Sequence, residues 1–151
     1  MFKGTNFYVL IFALLSVFSC LGPDLPEPVY IAYKELPKNI DFNQHVKPIL
    51  SDKCYLCHGP DKGNIKAGLQ LHTAEAAYAD LPESPGKVAI KPGNLIKSEF
   101  FHRIISQDPD FIMPEPGSHL TLTNYEKAIL IKWIEDGAEY KEHWAFLKPE
   151  N

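Results

Sequence analysis

The chain has 151 residues, room for one ordinary domain, and carries 15 Lys+Arg against 19 Asp+Glu for a formal net charge of −4. That balance excludes the basic footprint of a nucleic-acid binder. The three cysteines are too few for a disulfide framework once one is assigned elsewhere, and Arg103, the single arginine, is the only forked and permanently charged donor among the lysines.

Lys3 and the apolar run FYVLIFALLSVF, residues 7–18, have the length and flanks of a secretory signal peptide, and the run is too short to span a bilayer comfortably. VFSC follows at once and looks like a bacterial lipoprotein signal, although Phe18 stands where small residues are usual. Residues 1–19 are therefore expected to be the signal peptide. Cys20 would be the lipidated first residue of an exported chain, anchored on the periplasmic side of a membrane. Prolines 23, 26, 28 and 37 with no helical period make residues 20–40 an expected extended tether. The folded domain is expected over 41–147, with 148–151 as a tail.

Asp41 with Gln44 offers a helix cap, and Phe42, Val46, Ile49 and Leu50 fall on one face of a first helix that Pro48 should kink or shorten. This helix delivers the chain to CYLCHGP, residues 54–60, and a turn-rich loop, GPDKGNIKAG, follows. A second short helix starts at Thr73, and Pro82 and Pro85 open a loop reaching KPGN at 91–94. Ser98 is expected to cap a third helix, EFFHRII, with Phe101, Ile104 and Ile105 inward and Asp108-Pro109 ending it. The last helix has a capping box, Thr123 with Glu126, an apolar stripe of Ile129, Leu130, Trp133 and Ile134, and Gly137 as its stop. No alternating strand is visible, so the expected class is all-α. Four short helices and long loops make a poor core alone, and a bound apolar group is expected to fill the centre.

Cys54 and Cys57, two residues apart with His58 directly behind, admit three chemistries: a zinc knuckle, a dithiol redox pair and covalent haem attachment. Zinc needs two further ligands, and the adjacency of His58 to Cys57 makes joint tetrahedral ligation awkward. A dithiol pair expects a βαβ setting. Haem c fits the surroundings best, because the spacing brings both sulfurs to one side of the macrocycle and holds His58 under the iron. One haem is expected. Beyond the signal segment the only methionine is Met113, in the proline-bracketed loop DPDFIMPEPG, and it is the expected second axial ligand. His102 is its rival. Arg103 could clamp a propionate, and a carbonyl near Pro60 could take the free ring N–H of His58. His45, His72, His119 and His143 read as surface or locally bonded residues, and Trp133 as core.

DFNQHVKPILSDKCYLCHGPD, KAGLQLHT, KPGNLIKSEFFHRI, DPDFIMPEPG, LTLTNYEKAILIKWIEDGAEY and EHWAF together resemble the Planctomycete-type cytochrome c domain, related to class I cytochromes c, from about Asp41 to Phe146. The resemblance implies the small helical cytochrome c fold wrapped around one covalently bound haem, with Cys54 and Cys57 attached to it and His58 and Met113 as axial ligands. Two axial ligands would leave no open position for a substrate, so an electron carrier serving redox partner proteins is expected, rather than an enzyme. Such domains commonly begin much longer chains, whereas this sequence stops at Asn151. The alternative is therefore a haem-containing sensor or docking domain of a larger multidomain enzyme.

Overall fold

A computed structural model describes residues 24–142. The expected signal peptide, the expected lipidation at Cys20, His143 and the HWAF segment lie outside the described residues.

The first element corrects the tether. Residues Glu27–Lys34 form a helix, α1, with Pro26 as its N-cap residue and Pro28 in the first turn, where a missing N–H breaks no hydrogen bond. Val29, Ala32, Tyr33 and Leu36 follow at helical spacing and pack against the core, Val29 being only 2% exposed. The Tyr33 hydroxyl donates to Glu135 Oε2 at 2.5 Å on the last helix. Burial and the Glu135 carboxylate both push the Tyr33 phenol well above its ordinary value.

Asp41 does cap the next element, its carboxylate accepting from Gln44 N–H at 2.9 Å. Pro48 divides that element in the expected region. A π-helical turn, Phe42–Val46, precedes a second helix, α2, Lys47–Lys53. Pro48 has no N–H to give, and the Lys47 N–H reaches back to the Phe42 carbonyl. A single turn, α3, Tyr55–His58, follows at once. Thr73 caps α4, Ala74–Tyr78, by accepting from Ala76 N–H.

The all-α expectation also fails in one place. Asp80–Leu81 and Ser84–Val88 form an antiparallel hairpin, β1 and β2, with Leu81 opposite Ser84 and Asp80 opposite Val88. Pro82 lies in the two-residue turn, and Pro85 sits on a two-stranded ribbon where its missing donor breaks little of the ladder. Such short strands with two prolines show no alternation to read. The hairpin turn closes on Gly68, whose absent Cβ would lie 3.0 Å from Pro82 Cγ. Residues 24–142 are thus helix-rich with one small sheet.

Ser98 precedes α5, Glu99–Ile105, but its hydroxyl does not cap the helix. It is fully buried, accepting from Lys91 N–H at 2.9 Å and donating to the Asn94 carbonyl at 2.7 Å, so it stitches the 91–94 turn to the helix start. Phe100, Phe101 and Ile104 are the buried face of α5, with Ile105 only partly buried. A 3-10 turn, Pro116–Ser118, leads to α6, Asn124–Glu135. The capping box of Thr123 and Glu126 is complete. Ala138 N–H bonds the Trp133 carbonyl at 2.8 Å and Gly137 N–H the Ile134 carbonyl at 3.1 Å, with Gly137 at φ +108°, a Schellman stop. Trp133 is core: it packs on Phe42 and Tyr140, and its indole N–H donates to the Glu139 carbonyl.

Because α1 packs on α6, Val29→Ala in the intact protein is expected to cost about 2 kcal/mol, read by chemical denaturation; an unchanged midpoint would restore the tether.

Candidate functional site

Cys54, Cys57 and His58 are brought together by one turn of helix. Cys54 N–H continues α2 by bonding the Leu50 carbonyl at 2.9 Å, and the Cys54 carbonyl then accepts from Cys57 at 3.2 Å and His58 at 2.9 Å. Residues three and four apart share a helix face, so two thiols and an imidazole are presented on one side. The two thiols are not joined as a disulfide.

The turn ends where a side chain will not fit. A Cβ on Gly59 would lie 2.3 Å from the Tyr55 carbonyl oxygen, a backbone atom that cannot step aside. From there residues 59–71 return as a strap along the motif. Lys66 N–H donates to the Cys57 carbonyl at 2.9 Å and Leu71 N–H to the His58 carbonyl at 2.7 Å. The strap also supplies the partner of the imidazole: His58 Nδ1 lies 3.3 Å from the Leu69 carbonyl. The expected Pro60 neighbourhood does not fill this role. A carbonyl can only accept, so the contact places the proton on Nδ1 and leaves the Nε2 lone pair for a ligand.

The surroundings of His58 and Cys54 favour their neutral forms. Burial lowers the His58 pKa; the Leu69 hydrogen bond opposes it, and the charges of Lys66 and Arg103 add to the lowering. Burial pushes the Cys54 thiol up to about 12, with Glu126 and Cys57 acting in the same direction. A dithiol oxidoreductase needs the opposite shift. Among the described residues no group of three or more His, Cys, Asp or Glu is placed to hold a metal ion, so a zinc site lacks its ligands there.

All five expected cofactor residues within the described region, Cys54, Cys57, His58, Arg103 and Met113, line one cleft. Its volume is about 1100 Å³ including the open mouth. The walls are largely apolar: Leu69 and Leu71 from the strap, Leu81 from the hairpin, Phe100 and Ile104 from α5, and Leu120 and Leu122 before α6. The hairpin wall was invisible in the sequence because its strands carry no alternation. Two thiols, an imidazole nitrogen, a thioether and apolar walls suit a large flat apolar group carrying a metal, which is the chemistry of haem.

Met113 is held by α5. Its N–H donates to the Arg103 carbonyl at 3.1 Å, and Phe111 and Ile112 bond back to the Asp108 carbonyl. The Arg103 guanidinium lies over the Phe111 ring at 4.5 Å and donates from Nη1 to the Phe111 carbonyl at 3.3 Å. Arg103 therefore braces the methionine segment, a role its lone occurrence did not announce. Neither His102 nor His45, His72 or His119 is in the cleft lining. His102 Nε2 is 2.8 Å from the Ile96 carbonyl, and His45 Nδ1 accepts from Asp41 N–H at 2.8 Å.

Gly59→Ala forces a Cβ into the Tyr55 carbonyl and is expected to cost about 1–3 kcal/mol in chemical denaturation; a neutral result would mean the α3 turn has slack.

Residues 54–117 match the family model described as Planctomycete cytochrome C. No curated protein and no solved structure matches the chain. The matched stretch opens on Cys54 and contains His58, the whole strap, the hairpin, α5 and Met113. Over residues 54–117 the chain is similar to the Planctomycete-type cytochrome c domain.

Proposed function

We propose that the cleft binds one haem c and that the chain is a single-electron carrier rather than an enzyme. The observation that carries this reading is the meeting of Cys54, Cys57, His58 and Met113 in one apolar cleft. The family match supports haem binding and electron transfer. In this reading Cys54 and Cys57 would form the two thioether links, His58 Nε2 and the Met113 thioether would ligate the iron, and the helical architecture would be the small cytochrome c fold. Bound haem supplies the one-electron chemistry of its iron.

Each residue has a definable task. The Leu69 carbonyl, by taking the Nδ1 proton, fixes the ring orientation of His58 and raises the basicity of Nε2. Met113 is a soft, uncharged ligand that favours the reduced state. With His58 and Met113 both ligating the iron, no open position would remain for a substrate. Arg103 spends one of its five N–H donors on Phe111 and would have others free for a haem propionate. The apolar walls exclude water from the redox centre.

The site of action follows from residues outside the described region. No helix among the described residues is long and apolar enough to cross a membrane. We place the chain on the periplasmic side of a bacterial membrane, exported by residues 1–19 and anchored by lipid on Cys20, where it exchanges electrons with redox partner proteins.

Mass spectrometry of protein from a host with haem-attachment machinery is expected to find one tetrapyrrole on the peptide bearing Cys54 and Cys57. An unmodified peptide refutes the proposal. The ferric protein is expected to show the weak long-wavelength charge-transfer band of methionine ligation. Met113→Ala should abolish that band, admit carbon monoxide to the reduced protein and lower the reduction potential by on the order of 0.1 V, within the roughly 0.8 V that axial ligands span. A wild-type protein that binds carbon monoxide readily would instead favour the sensor or docking domain.

A further inference from the structure

The segment bearing Met113 is tied down on both sides of the methionine. Its upstream ties, the Arg103 carbonyl and the Arg103 guanidinium on Phe111, run to α5, on the methionine's own side of the cleft. Downstream, Glu115 forms an ion pair with Lys66, 49 residues away on the strap. Among the described residues this is the only hydrogen bond or ion pair joining residues 54–71 to residues 106–122. It therefore crosses the cleft mouth from the wall that carries His58 to the wall that carries Met113.

Both ends are rooted. Lys66 N–H is fixed to the Cys57 carbonyl at 2.9 Å, and the Lys66 carbonyl accepts from Leu69 N–H at 3.1 Å, next to the carbonyl that orients His58. The Glu115 carbonyl accepts from Ser118 N–H at 3.0 Å and from its hydroxyl at 2.7 Å, so the 3-10 turn holds Glu115 directly after Met113-Pro114. The two charged side chains line the cleft and are 55% and 42% exposed. An ion pair so exposed is weakened by salt.

We propose that Lys66 and Glu115 are positioning residues, a salt-sensitive clasp across the cleft mouth that holds Met113 opposite His58 and sets how readily the sixth position opens to an outside ligand. The inference rests on the haem reading above. It makes the hold of Met113 on the sixth position weaken as ionic strength rises, while the part-buried ties through Arg103 stay closed.

The test is imidazole binding to the ferric holoprotein, with the methionine charge-transfer band recorded at low and high salt. At low salt Lys66→Gln and Glu115→Gln are each expected to tighten imidazole binding by up to about fivefold, the scale of a half-exposed pair. Salt should move the wild type towards the variants and leave the variants nearly unmoved. The double reversal K66E/E115K should restore wild-type affinity, which a loss of fold would not allow. Wild-type affinity in both single variants, or a double reversal that behaves like them, overturns the clasp while the band still upholds the haem and methionine. A wild type without the band overturns the methionine reading and the clasp with it.

Discussion

Residues 54–58 can present two thiols and an imidazole only because the backbone just after them closes tightly, and much of the structure serves that closure. Gly59 lets the chain pass against the Tyr55 carbonyl. The strap that follows spends its own backbone on the motif, with Lys66 and Leu71 N–H groups satisfying the Cys57 and His58 carbonyls. These carbonyls at a helix end would otherwise need water or a ligand. The strap is itself secured from behind, since the Tyr140 hydroxyl donates to the Leu71 carbonyl at 3.0 Å. Tyr140 packs on Phe42, Trp133 and Tyr78 in one aromatic cluster, and burial holds its phenol well above the ordinary value. The reactive turn is thus linked through the strap to the end of α6.

The opposite wall is built on a different principle. A methionine thioether is a weak acceptor and offers no charge by which a fold could position it. Its placement depends on neighbours: the Arg103 carbonyl on its own N–H, and the guanidinium of Arg103 over Phe111. The first wall is rigid through short-range backbone bonds. The second is a loop held by a single backbone bond from Met113 to α5 and by the Arg103 side chain.

The elements legible in the sequence were those whose signals are local. Asp41 and Gln44, Thr73, and Thr123 with Glu126 all cap helices where their spacing indicated, and Gly137 stops α6. Cys54, Cys57 and Met113 could be singled out because cysteine and methionine are rare in this chain, and His58, one of six histidines, because it directly follows Cys57. What was missed depends on position in three dimensions. Prolines 26 and 28 suggested an extended stretch, yet a helix tolerates proline in its first turn, and the spacing of Val29, Ala32, Tyr33 and Leu36 was the overlooked sign. The hairpin is defined by pairing across a two-residue turn, with no alternation to betray it. Leu69 partners His58 through its carbonyl, which every residue possesses, so no side-chain pattern could point to it. Ser98 stands where a cap belongs but is buried and turned to Lys91 and Asn94.

The docking of α1 has a spatial consequence for a lipid-anchored chain. Leu25 already packs against the core, and the helix that follows is part of the folded body. From Cys20 to Leu25 a fully drawn-out polypeptide reaches about 17 Å, well short of the diameter of the domain itself. Anchored at Cys20, the protein would work on a short leash, unable to ferry charge across a wide compartment. On the electron-carrier reading proposed above, exchange would then be confined to partners that reach the bilayer surface.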